Sequence, residues 1–95
     1  MEKYKEGWKK YLELCQEMKD EKTLSALFDL LLTPEEKESI AMRCLIIREL
    51  LNHKQTQREI AKNLHVSIAK ITRGSNEIKR MKEPFIDYLI SILVK

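Results

Sequence analysis

Apolar residues recur along this chain with helical rather than strand spacing, in six stretches separated by short polar breaks. Residues 3 to 19 place Tyr4, Trp8, Tyr11, Leu12, Cys15 and Met18 on one side of a long amphipathic helix, with Lys and Glu between them. Asp20, Glu21 and Lys22 interrupt the pattern, and Thr23 is expected to cap a short second helix that buries Leu24, Leu27, Phe28 and Leu31. Thr33, Pro34, Glu35 and Glu36 form the clearest helix start, with Thr as N-cap, Pro at the first helical position and Glu36 closing a capping box. The third helix should run to about Asn52. Its apolar residues Ile40, Ala41, Met42, Cys44, Leu45, Ile46, Ile47, Leu50 and Leu51 cover more than one face, which places it at the centre. Arg43 interrupts that run and must reach solvent or a specific anionic or aromatic partner.

Asn52, His53 and Lys54 break the third helix, and residues 57 to 78 read as two short helices around a tight turn. In the first, Ile60, Ala61 and Leu64 form a narrow apolar stripe, and the small Ala61 lets a second helix cross close by. His65, Val66 and Ser67 make the turn, with Ser67 as the expected N-cap of a helix that begins near Ile68. The His65 position often needs positive φ, which His tolerates better than most residues with a Cβ. Ile68 and Ile71 are expected to face the first helix, while Lys70, Thr72, Arg73, Ser75 and Asn76 point outward. Lys79 to Glu83 reads as a connector and Pro84 opens a last helix. Phe85, Ile86, Tyr88, Leu89, Ile90, Ile92, Leu93 and Val94 leave that helix apolar nearly all round. Two such helices in a short chain imply a second subunit that covers them, hence a homodimer with an interleaved core.

Composition narrows the class. Ninety-five residues, 43% of them hydrophobic and only two of them Gly and two Pro, describe one small all-α domain. No apolar run is long enough to span a bilayer and the N-terminus is charged where a signal peptide would be apolar, so a cytoplasmic protein without membrane partners is expected. Cys15 and Cys44 fall inside helices without paired spacing and read as reduced, core-type residues. With only His53 and His65 besides, no metal site is expected. No nucleophile, base and orienting group occur together and no phosphate loop appears, which speaks against an enzyme. Charge is uneven: residues 54 to 82 hold eight Lys or Arg and two Glu in a chain of net charge +3. Such a basic helix-turn-helix suits the phosphates of duplex DNA. A solvated helical hairpin, or a helical dimer whose basic face takes RNA or an acidic protein, shares the pattern.

The stretches LLLTPEE, Arg43, QREIAKNL and ITRGSN, in that order and spacing, resemble the bacterial tryptophan repressor family over about Leu24 to Lys79. The resemblance implies a six-helix intertwined homodimer, with a dimerisation core from about 4–52 and 83–94 and a helix-turn-helix reading head at about 57–80. It implies L-tryptophan as corepressor and a palindromic operator controlling genes of tryptophan biosynthesis or uptake. The tryptophan repressor is itself a type case of helix-turn-helix docking and of water-mediated operator contact. Carried over by position, Arg43 and Arg73 would hold the indole between two guanidinium planes, with Arg73 also reaching the carboxylate. Thr33 would assist there, the carbonyls of Leu30 and Leu32 would accept from the ammonium, and Gly74 would permit close approach. Gln57, Arg58, Ile68, Ala69, Lys70, Thr72 and Asn76 would meet DNA, sharing Arg73 and Gly74 with the ligand. Three positions depart from the family pattern. Glu77 stands where a Ser from the other subunit is usual near the ammonium, Lys70 replaces a common Thr, and the turn lacks its usual Gly. Replication-initiator domains of similar fold, which need no amino acid, are a ligand-independent alternative, and the joint presence of Thr33, Arg43 and Arg73 argues against it.

Overall fold

A computed structural model describes residues 2–94, and among these it contains six helices and no strand. They are α1 (Glu2–Glu17), α2 (Glu21–Leu31), α3 (Pro34–Asn52), α4 (Gln57–Leu64), α5 (Ile68–Lys79) and α6 (Glu83–Leu93). The described residues fall into two compact units, with the division after Lys37.

In the first unit, α2 starts earlier than the Thr23 cap expected from sequence. Asp20 is the N-cap, its carboxylate accepting the Thr23 N–H at 2.7 Å, so Thr23 becomes the third residue of the helix. The reason is chemical: Glu21 suits the positive end of a helix, and a charged Asp is a stronger acceptor than a hydroxyl. The same hydrogen bond holds the Asp20 carboxyl below the usual carboxylate range. Aromatic rings join the two helices, Trp8 to Tyr11 at 5.2 Å between centroids and Tyr11 to Phe28 at 6.3 Å, within the spacing of tilted aromatic pairs. No residue of α1 or α2 is buried. The capping box at Thr33 is present as expected: the Thr33 N–H donates to Glu36 Oε1 at 2.8 Å and the Glu36 N–H to Thr33 Oγ1 at 3.1 Å.

The second unit owns the buried core. Ile46 of α3, Ile60 and Ala61 of α4 and Ile71 of α5 form one cluster, with Met42, Leu50, Leu64 and Val66 packed against it. Ile60 and Ile71 are the most completely enclosed, and truncating either to Ala would cost about 2–5 kcal/mol. The central role expected of α3 is thus confined to one side: it buries Ile46 and Leu51, while Ile40 is exposed. Cys15 is half-buried and Cys44, expected in the core, is exposed. Cys44 lies two residues from Ile46, which turns it about 200° round the helix from the packed side. In α6 no residue is buried and Phe85, Tyr88 and Ile92 stand exposed.

Candidate ligand cavity and nucleic-acid face

The reading head is built on α4, which is closed at both ends. At its start Thr56 makes a second capping box, accepting the Glu59 N–H at 3.1 Å while its own N–H donates to Glu59 Oε1 at 2.8 Å. That bond holds the Glu59 carboxyl below its ordinary range. The sequence signal for this cap, beyond the break at residues 52–54, is the T-x-x-E spelling of residues 56–59. At its end His65 takes the left-handed conformation anticipated for the turn, φ 57° and ψ 44°. Its N–H donates to the Lys62 carbonyl at 3.3 Å and the Val66 N–H to the Ala61 carbonyl at 3.0 Å, the paired bonds of a Schellman motif. Val66 then folds onto the core as its apolar plug. Ser67 occupies the N-cap of α5 without the expected side-chain hydrogen bond, so the first N–H groups of α5 lack a side-chain acceptor.

Helix α5 divides its side chains among three directions. Ile71 enters the core, flanked by half-buried Ser75 and Ile78. Ala69, Thr72 and Asn76, spaced i, i+3, i+7, are exposed on the outward side. Ile68, expected to face α4, is instead 46% exposed at the start of the helix. The Thr72 hydroxyl donates to Gln57 Oε1 at 3.1 Å, so one residue assigned to DNA positions another across the turn. Arg58 is exposed on α4 and Gln57 half-buried.

The third direction faces α3. Lys70, Arg73, Gly74 and Glu77 of α5 and Ser39, Met42, Arg43, Ile46 and Ile47 of α3 line a cavity of about 350 Å³. This lies at the small end of the range for small-molecule sites, about 300–1,000 Å³. Both walls are single helical stripes, 39/42/43/46/47 against 70/73/74/77. Close approach is possible because Gly74 has no Cβ: one placed there would lie 3.1 Å from Ile46 Cγ2 and 3.3 Å from Leu50 Cδ1. Gly74 therefore serves the helix crossing as well as any ligand. Arg43, Arg73, Gly74 and Glu77, assigned to the ligand, thus share one cavity, and Lys70, assigned to DNA, lines it with them. Glu77 makes no ion pair with Arg73, which its i, i+4 spacing allows, and meets Arg80 at 3.3 Å instead. Leu30, Leu32 and Thr33 belong to the first unit; Leu30 is exposed, and Thr33 is engaged in its capping box.

A basic helix-turn-helix whose second helix keeps one face outward and another on a ligand-sized cavity defines a DNA-binding transcription regulator. The chain matches the model of the Trp repressor protein family over residues 6–92, and it belongs to that family of DNA-binding repressors. It is similar to a Trp operon repressor homolog of Chlamydia trachomatis serovar D, 48% identical over 83 residues that cover 87% of this chain and 88% of the relative. A Trp operon repressor homolog of Chlamydia caviae is 47% identical, covering 87% of this chain and 82% of its own. One of Photobacterium profundum is 38% identical over 88 residues, 93% of this chain and 85% of its own. The family comprises transcription regulators rather than enzymes. Among the described residues no helix is long and apolar enough to cross a membrane.

Proposed function

We propose that this chain is an L-tryptophan-dependent repressor that binds a palindromic operator as a homodimer and controls genes of tryptophan biosynthesis or uptake in the bacterial cytoplasm. The observation that carries this reading is the cavity shared by Arg43 of α3 and Arg73 of α5. Two guanidinium groups on opposite walls, beside the apolar Met42, Ile46 and Ile47 of the α3 wall, suit a flat aromatic ring bearing a carboxylate. Leu30, Leu32 and Thr33 enter this reading through the resemblance alone.

Regulation follows from the position of the cavity. A ligand that touches both α3 and α5 favours the orientation of the reading head that accommodates it, and the free dimer is the weaker binder. Couplings of this kind are typically about 1–3 kcal/mol, roughly 5–150-fold in operator affinity. Gln57, Arg58, Ile68, Ala69, Thr72 and Asn76 form the outward surface for DNA, mostly fixing register on phosphates. The exposed rows Tyr4, Trp8 and Leu12 on α1 and Phe85, Tyr88 and Ile92 on α6 support a second copy of the chain as their cover.

Calorimetry of the purified protein with L-tryptophan, together with operator titrations in its presence and absence, tests the proposal. Saturable binding and tighter DNA association with tryptophan are expected. Operator binding indifferent to tryptophan would favour a ligand-independent reader, and a stable monomer in sedimentation at micromolar concentration would overturn the dimer.

A further inference from the structure

We propose that Lys70 is a ligand-recognition residue that takes the carboxylate of the bound amino acid, rather than a DNA contact; the inference rests on the cavity being the corepressor site. Lys70 opens the α5 stripe that continues through Arg73, Gly74 and Glu77 into the cavity, about a third of a turn away from the outward row of Ala69, Thr72 and Asn76. Among the described residues Arg43, Lys70 and Arg73 form no ion pair, whereas the carboxylate in the lining, Glu77, is held by Arg80. All three cations are exposed at the rim of one small cavity, and an anion seated among them is attracted by each.

The order of charge along α5 gives the cavity a direction. Lys70 lies in the first turn, where the helix terminus adds its own positive potential, Arg73 follows one turn on, and Glu77 comes last. A carboxylate in the cavity is therefore favoured toward Lys70, at the positive end of the helix. If Arg43 and Arg73 present their planes to an aromatic ring, only their edges remain for hydrogen bonding. The compact ammonium of Lys70 supplies the third charge to the carboxylate. Lys70 is thus a specificity determinant: it favours carboxylate-bearing ligands over their amides.

The test is calorimetry of the full-length protein and its Lys70→Met and Lys70→Arg variants with L-tryptophan, L-tryptophanamide and indole-3-propionate. Lys70→Met should weaken tryptophan and indole-3-propionate about tenfold or more while leaving the amide nearly unchanged, and Lys70→Arg should recover most of the loss. Equal weakening of all three ligands would overturn the proposal, as it would signify a distorted cavity. Unchanged tryptophan affinity in Lys70→Met, with the salt slope of operator binding reduced by about one ion per Lys removed, would overturn it in favour of a phosphate contact. Wild-type protein that binds none of the three would remove the corepressor reading itself, a result separate from either.

Discussion

Replacing Gly74 with Ala sets two opposed effects against each other. A helix-interior Gly→Ala change gains about 1 kcal/mol in helix propensity, and Gly74 lies in the middle of α5 without positive φ. Against this, the new methyl would stand 3.1 Å from Ile46 Cγ2, 3.3 Å from Leu50 Cδ1 and 3.8 Å from Ile47 Cδ1. Ile46 is only 4% exposed and locked among Ile60, Ala61 and Ile71, so it has little room to retreat. Overpacking of this kind costs about 1–3 kcal/mol, which leaves a net loss of roughly 0–2 kcal/mol. Ile46, Ile47 and Gly74 are also cavity walls, so the strain should be relieved by moving α5 off α3 and misshaping the ligand site. Urea denaturation should show slight destabilisation, while calorimetry should show tryptophan affinity reduced tenfold or more, about 1.4 kcal/mol. An alanine variant stabilised by the full propensity gain, with tryptophan binding intact, would refute the tight crossing.

Arg73→Leu should abolish tryptophan-stimulated operator binding and tryptophan binding together, whereas Arg43→Leu should chiefly remove the tryptophan dependence; intact calorimetric titrations in both variants would displace the ligand from this cavity. His65→Val should lower stability by about 1–2 kcal/mol in thermal melts because a β-branched residue resists φ 57°, and His65→Gly should stay within about 1 kcal/mol of wild type. The Asp20 and Glu59 carboxyls are held low by their capping bonds, so their stabilisation is complete above the ordinary carboxylate pKa and fades as pH falls through the lower folded value. Circular dichroism should accordingly show a shallower acid loss in Glu59→Gln than in wild type, and identical slopes would dissociate the cap from the titration.

Signals carried by neighbouring residues were legible in the sequence: the Thr33 to Glu36 capping box, the left-handed turn at His65 and the Ile60, Ala61, Ile71 core. The misreadings have local causes. Thr23 and Asp20 both qualify as caps, and only the acidic first turn at Glu21 separates them. Periodicity made Cys44 and Ile68 look buried because an apolar residue reports what it prefers, while burial depends on a packed neighbour that neither position has. For the cavity, Arg43 and Arg73 required a family likeness, since thirty positions separate them and no local rule joins α3 to α5. Lys70, assigned to DNA from sequence, lines the cavity as well, because outward and cavity-facing positions on α5 differ by one residue and the sequence alone does not say where α3 lies.

Eight residues are too few for a helix to persist alone, yet α4 is pinned at Thr56 and at His65 and tied sideways through Gln55, which accepts from Asn63 at 2.6 Å and donates to Glu49 of α3 at 3.2 Å. So fastened, α4 is an axle rather than a spring. Its fastening fixes where the turn at His65 begins, and so where α5 starts its crossing of α3 at Gly74.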